Sequence, residues 1–474
     1  MSTCFTGCYT GIFRLNRVFL CAPTEKNGPG HFMTIIKTHG HLLRVLGVGF
    51  GLAVAIGNTI GAGIFRAPGT IAEQLPSPTL FLLIWLAGGI YALLGALTVA
   101  ELGAMIPLSG GQYVFARYAF GDYAGFIVGW GDWISTCGST AAVALLIGVF
   151  AGGLSPTLSG KSQVIAIVVT VVFALFQWRG IVWGSNIQNL TSLLKALAFL
   201  ALIIAAFIFG GNGALTTSHG SSTSVITMAA IVASLQAAIY TYDGWTGVIY
   251  FSEEVEQPGR DIPRSLLGGV ATITAIYLLV NVALLYVLPI TQISGKEFAA
   301  GEAANVIFGA NGDTVFRCLT IVSMLSGINA LHLMASRVLF AMSRDSLFTS
   351  KAAVVNAGGT PSVALLLSTL VTLLFIIFGQ RFERVITVLA FFFVVNYILS
   401  FVSLFILRWR EPDKPRPYRV WGYPFTPGLA LLGSVLFLVG AIHADTENSV
   451  YAVVLLAVSY PVFRTVKLFS SRVS

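Results

Sequence analysis

The chain has 474 residues, of which 56% are hydrophobic and only 10% charged, with a net charge of +8. A soluble domain carries about 25% charged residues, so a water-soluble fold of this size is excluded. Composition equally excludes a disordered chain, a collagen-like rod and a disulfide-rich secreted module.

What remains is a polytopic all-α membrane protein. Residues 1–40 read as a disordered tail. Its weak apolar patch around 12–21 is interrupted by Arg14, Asn16 and Arg17, too short and polar for a signal segment. Whether translation starts at Met1 or Met33 stays open. Apolar runs of spanning length follow at about 43–66, 78–104, 123–150, 163–183, 187–210, 225–250, 266–289, 314–342, 362–379, 384–407, 428–444 and 450–466. They are continuous rather than alternating, which argues for helices over barrel strands. The count predicts twelve transmembrane helices. Residues 251–265 and 409–426 read as long charged loops, and 290–313 as a segment with a short non-spanning helix. The five cysteines, Cys4, Cys8, Cys21, Cys137 and Cys318, have no metal-ligand spacing; they read as free thiols, and no cofactor or metal is expected.

Two runs are interrupted. The first contains Gly57-Asn58-Thr59-Ile60-Gly61-Ala62-Gly63, and three glycines in seven residues weaken a helix by roughly 1 kcal/mol each. The sixth contains Tyr240-Thr241-Tyr242-Asp243-Gly244-Trp245-Thr246-Gly247. Irregular backbone at membrane depth must line a protein-enclosed cavity. Breaks in the first and sixth helices, five apart, match a 5+5 inverted repeat. Such a break frees N–H groups that suit a carboxylate and C=O groups that suit an ammonium, so one site fits a zwitterionic amino acid. Close helix packing is the plainer reading of a single Gly-x-Gly.

Basic residues give an orientation. With the N-terminus in the cytoplasm, 20 of the 27 Lys and Arg fall on the cytoplasmic side and six on the other, Arg66 among them. That predicts cytoplasmic N- and C-termini in a plasma or inner membrane. The remaining one, Lys195, stays in the membrane.

These residues resemble the amino acid–polyamine–organocation superfamily, in its L-type and bacterial serine/threonine-exchanger branch. Gly61-Ala62-Gly63-Ile64-Phe65 is similar to its GSGIF motif, with Ala62 in the usual Ser place. Residues Glu101 to Tyr113 are similar to its ELGAMIPRSGGEY signature, with Leu108 and Gln112 departing from Arg and Glu. Tyr242-Asp243-Gly244-Trp245, Glu253-Glu254-Val255, Pro258 and Arg260-Asp261-Ile262-Pro263-Arg264 complete the likeness over about 43–410. The resemblance implies a LeuT-like fold: repeat 1 over 41–211, repeat 2 over 222–410, and two extra helices over 411–474. It implies secondary transport of amino acids by alternating access, as permease, symporter or exchanger. It also implies that Gly61, Ala62 and Gly63 present N–H groups to the substrate carboxylate. The carbonyls of Ile60, Tyr240, Thr241 and Asp243 would face its amino group. Lys195 would point at the first break, standing in for a coupling cation or carrying a proton; snorkelling is the alternative.

Other polar residues in the runs have plainer readings. Asp243 is as much a capping carboxylate as a substrate contact. Asp132 reads as structurally paired, Glu101 as a loop anchor, His332 as a satisfied core group, and Asn281, Asn329 and Asn396 as interhelical hydrogen-bonders. Tyr240 and Trp245 are candidate gates or pocket walls. Neutral amino acids are the expected substrate. A cationic amino acid or polyamine is the alternative, with Asp243 or Asp132 as its partner, and a non-transporting sensor is a further one. No nucleophile, base or metal set converges, so an enzyme is not expected. Exchange against a counter-substrate amino acid, proton coupling and oligomeric state stay open.

Overall fold

The computed structural model describes residues 42–61, 63–210, 227–378, 382–444 and 446–470. The tail over 1–40, Ala62, and Cys4, Cys8 and Cys21 lie outside them. In chain order the helices are α1 (Val48–Thr59), α2 (Gly63–Gln74), α3 (Pro78–Met105), α4 (Gln112–Phe120), α5 (Asp122–Leu154), α6 (Ser162–Trp178), α7 (Ile181–Phe209) and α8 (Met228–Tyr242). A 3-10 helix (Trp245–Phe251) follows, then α9 (Pro258–Val287), α10 (Ile290–Ile293), α11 (Ala299–Phe308), α12 (Gly312–Arg344), α13 (Ser362–Phe378), α14 (Phe382–Arg410), α15 (Phe425–Ala444) and α16 (Thr446–Ser470).

Among the described residues every predicted run lies mainly on helix. Among the described residues seven helices are long and apolar enough to cross a membrane, or eight if α1 and α2, bent by 48°, form one span. The remaining runs lie on α6, α13, α16 and α8 with its 3-10 continuation. At 17 residues each, α6 and α13 rise about 25 Å, at the short limit for a span.

Three boundaries differ from the sequence reading. The first run does not stop at residue 66: α2 continues to Gln74, so Arg66 lies within a helix and not at its end. Most of 251–265 is helical, because Pro258 opens α9 at a position where its missing N–H costs nothing. The stretch after Gly110-Gly111, which falls between two predicted runs, folds as α4. The segment after α9 holds α10 and α11, short helices of the predicted kind.

Burial is inverted relative to a soluble protein. On α7, Leu193, Leu197 and Leu200 are about half exposed, while Ser192 and Lys195 are buried. Helical spacing puts the leucines on one face. An outward apolar face over an inward polar one fits lipid as the surrounding solvent. The interior is close-packed: Tyr277 lies between Trp85 and Tyr242, with ring centroids 5.6 and 4.9 Å away.

Candidate functional site

Both interruptions lie where the sequence places them. α1 ends at Thr59, and α2 resumes at Gly63. α8 ends at Tyr242, and Gly244 turns the chain with φ +110 into the 3-10 helix. Only glycine adopts that φ without strain. The position is also crowded, for an added Cβ would meet Asn58 Nδ2 at 2.9 Å and Thr59 N at 3.0 Å.

Three contacts join the breaks. Asn58 Nδ2 donates to the Gly244 carbonyl at 3.1 Å. The Tyr277 hydroxyl lies 2.9 Å from the Thr59 carbonyl and 3.0 Å from that of Thr241. A Cβ on Gly63 would come within 3.0 Å of Thr241, so α2 starts directly against α8.

Lys195 does not snorkel. Its Nζ donates to the carbonyls of Gly57 at 2.8 Å and Ile60 at 2.5 Å, and its side chain is fully buried. Ser323 donates to the same Ile60 oxygen at 3.0 Å. A carbonyl has two lone pairs, so the Ile60 oxygen is turned to Lys195 and Ser323 rather than to the cavity. The Tyr240 carbonyl accepts from Asp243 N at 3.2 Å and the Thr241 carbonyl from Tyr277; each keeps a lone pair.

Beside the breaks lies a cavity of about 400 Å³. Gly61, Gly63, Tyr240, Thr241 and Asp243 line it, together with Arg66, Thr70, Asp132 and Tyr397. An added Cβ on Gly61 would meet nothing within 4 Å. The Tyr397 hydroxyl donates to Asp243 Oδ1. Trp245 is buried and stacks on Tyr397, centroids 5.4 Å apart, behind the wall rather than on it. Tyr240 is 39% exposed, on the wall. The cavity opens along α2, where Thr70 is exposed and Arg66 pairs with Glu297 at 3.3 Å. Its closed end is formed by Gln112, Asp132 and Tyr250.

Beyond that closed end the protein is sealed by ion pairs. Arg337 and Glu254 pair at 2.9 Å with both side chains fully buried. Burial pushes the Glu254 carboxyl above the usual range, and Arg337 opposes this. Glu253 bonds Arg344 and accepts from Ser109 N at 3.1 Å. The chain before α1 joins the seal, since Val45 N and Leu46 N both donate to the Glu254 carbonyl. Glu101 accepts from Arg408 at 2.9 Å and from Val420 N at 2.7 Å, anchoring the 411–424 loop to α3.

Behind α1 runs a polar seam. Gln188 and Ser192 donate to the Ala53 carbonyl at 3.1 and 2.7 Å, Ser192 meets Ser326 at 2.9 Å, and Asn329 bonds Gln188 at 2.9 Å. Asn329 is thus interhelical as expected. Asn281 is not: its Nδ2 bonds Tyr277 within α9, and its Oδ1 lacks a partner among the described residues. His332 is not a satisfied core group either, since neither ring nitrogen has a partner among the described residues. Asn396 is buried. Sequence reasoning missed Asn58, Tyr277, Ser323 and Tyr397 as site residues. Their side chains are ordinary in such runs, and their roles rest on contacts between distant segments.

A membrane-embedded helical protein with two joined helix breaks beside a one-sided cavity is the architecture of a transporter. The sequence profile of the amino acid permeases matches residues 51–460. The chain is 30% identical over 434 residues to a serine/threonine exchanger, SteT, of Bacillus subtilis, covering 90% of this chain and 97% of that protein. It is 27% identical over 401 residues to the mouse large neutral amino acids transporter small subunit 2, covering 80% and 73%. To the mouse b(0,+)-type amino acid transporter 1 it is 27% identical over 431 residues, covering 87% and 85%. The chain belongs to the amino acid permease family, a family of transporters and not of enzymes, and is a multi-pass integral membrane protein.

Proposed function

We propose that this permease carries neutral amino acids by alternating access, binding each at the paired breaks. The observation that carries the reading is the cavity: main-chain segments of both breaks line it, and it is open at one end and ion-paired shut at the other. The backbone at Gly61, Ala62 and Gly63 would receive the substrate carboxylate, as the start of a helix does. The carbonyls of Tyr240 and Thr241 would receive its ammonium. Lys195 holds the end of α1, where a cation would otherwise be needed. Twelve spans in a LeuT-like 5+5 arrangement, with both termini cytoplasmic, fit this reading. The sealed end, rich in Arg and Lys, is then the cytoplasmic one. The one reported relative whose name is that of an exchanger, SteT, supports exchange against an internal amino acid.

Asp132 and Asp243 on the cavity wall favour a second reading, a cationic amino acid or polyamine as substrate. Purified protein in liposomes decides between them. Labelled alanine, serine or leucine should enter, faster when unlabelled amino acid is inside. Uptake of none refutes the neutral-carrier reading, and uptake of lysine or a polyamine alone supports the second.

A further inference from the structure

The closed end of the cavity holds two polar atoms whose bonding is unfinished. Tyr250 Oη donates to Asp132 Oδ1 at 3.0 Å, but among the described residues no donor completes a hydrogen bond to Asp132 Oδ2, the Thr136 hydroxyl one turn along α5 standing near the carboxylate without closing one. Gln112 Nε2 has no partner among them either. The residues are 6% and 3% exposed, and both line the cavity. They are held together through Tyr250, whose carbonyl accepts from Gly110 N at 3.3 Å, two residues before Gln112.

Buried polar atoms are nearly always hydrogen-bonded, and an exception calls for an explanation. Here the exceptions are complementary: one oxygen acceptor and one N–H donor at the same end of one cavity. The wall beside them is graded. On α5, Asp132, Ser135, Thr136 and Ser139 recur at helical spacing on the cavity face, and Ala142, Val143 and Leu146 continue it. Gln112 also stands where the resembled signature usually has Glu, which would offer no donor when ionised.

Resting on the carrier reading above, we propose that Asp132 and Gln112 form the side-chain subsite and select neutral polar amino acids. A hydroxyl or carboxamide donates to Asp132 Oδ2 and accepts from Gln112 Nε2. A methyl group completes neither bond. An ammonium completes only the first and leaves the Gln112 N–H unmatched. A site that hydrogen-bonds a substrate group rejects an isostere lacking it far more strongly than an apolar pocket rejects an added hydroxyl.

The test uses the full chain in liposomes and isosteric pairs: threonine against valine, and asparagine against leucine, with ornithine as the cationic arm. Threonine should exceed valine in kcat/KM by about tenfold or more, asparagine should exceed leucine, and ornithine should fall below threonine. Asp132→Asn should bring the threonine-to-valine ratio to within about twofold, because the amide turns a donor toward the substrate hydroxyl. Gln112→Leu, read by the same ratio, should also lower it and serves if the first variant does not fold. Alanine uptake with valine equal to threonine, or an unchanged ratio in either folded variant, overturns the proposal and leaves the carrier reading standing. No uptake of any amino acid overturns both.

Discussion

Lys195 closes the end of α1 by donating to the carbonyl of Ile60 at 2.5 Å, 135 residues away in the chain. The same ammonium reaches Gly57. Two carbonyls freed by the break are thus satisfied by the protein itself. Among the described residues no carboxylate within salt-bridge distance of Lys195 is found.

Replacing Lys195 by Met leaves those acceptors buried and one donor short. Each such loss costs about 1–3 kcal/mol. Uptake by the Lys195→Met protein in liposomes should fall at least about tenfold. Wild-type uptake should be the same in sodium and in choline buffer, since a fixed cation already occupies the position. Sodium-stimulated uptake by the wild type would refute that role.

The backbone at the breaks should be intolerant of side chains. Gly63→Val places methyl groups against Thr241, and Gly244→Ala adds strain at φ +110 to a clash with Asn58 and Thr59. Both variants should lose substrate binding by tenfold or more. Ligand-induced thermal stabilisation of the purified protein measures this. Wild-type affinity in Gly63→Val would refute a ligand site beside α2.

Arg337 and Glu254 should behave as a unit. Removing one partner of a buried ion pair strands the other, at about 3–5 kcal/mol, whereas replacing both with apolar residues is often neutral. Arg337→Met and Glu254→Leu should each lower the melting temperature in detergent by several degrees, and the double variant should recover most of the loss. Additive losses would show that the two side chains act separately.

The breaks and Lys195 were legible in the sequence because each violates its surroundings. Glycines weaken an apolar helix, and a lysine within one is costly, so both stand out locally. The partners were not legible for the opposite reason. Tyr277 and Tyr397 look like any aromatic residue in a span, and Asn58 bonds Gly244 across 186 positions. The end of the first run was not legible because hydropathy falls at Arg66 while the helix does not; α2 runs on to Gln74. His332 and Asn281 show a further limit, since a polar residue in an apolar run signals only that burial is costly, not that a partner exists.

Arg66 is also one of several ties between α2 and the chain leading to α11. It pairs with Glu297, Gly295 N donates to the Gly69 carbonyl at 3.1 Å, and the Lys296 carbonyl lies 1.9 Å from where a Cβ on Gly69 would sit. The two segments are therefore geared: a tilt of α2 drags 295–297 with it. A fluorophore on the half-exposed Glu302 of α11 would then report the opening and closing of a cavity it never touches.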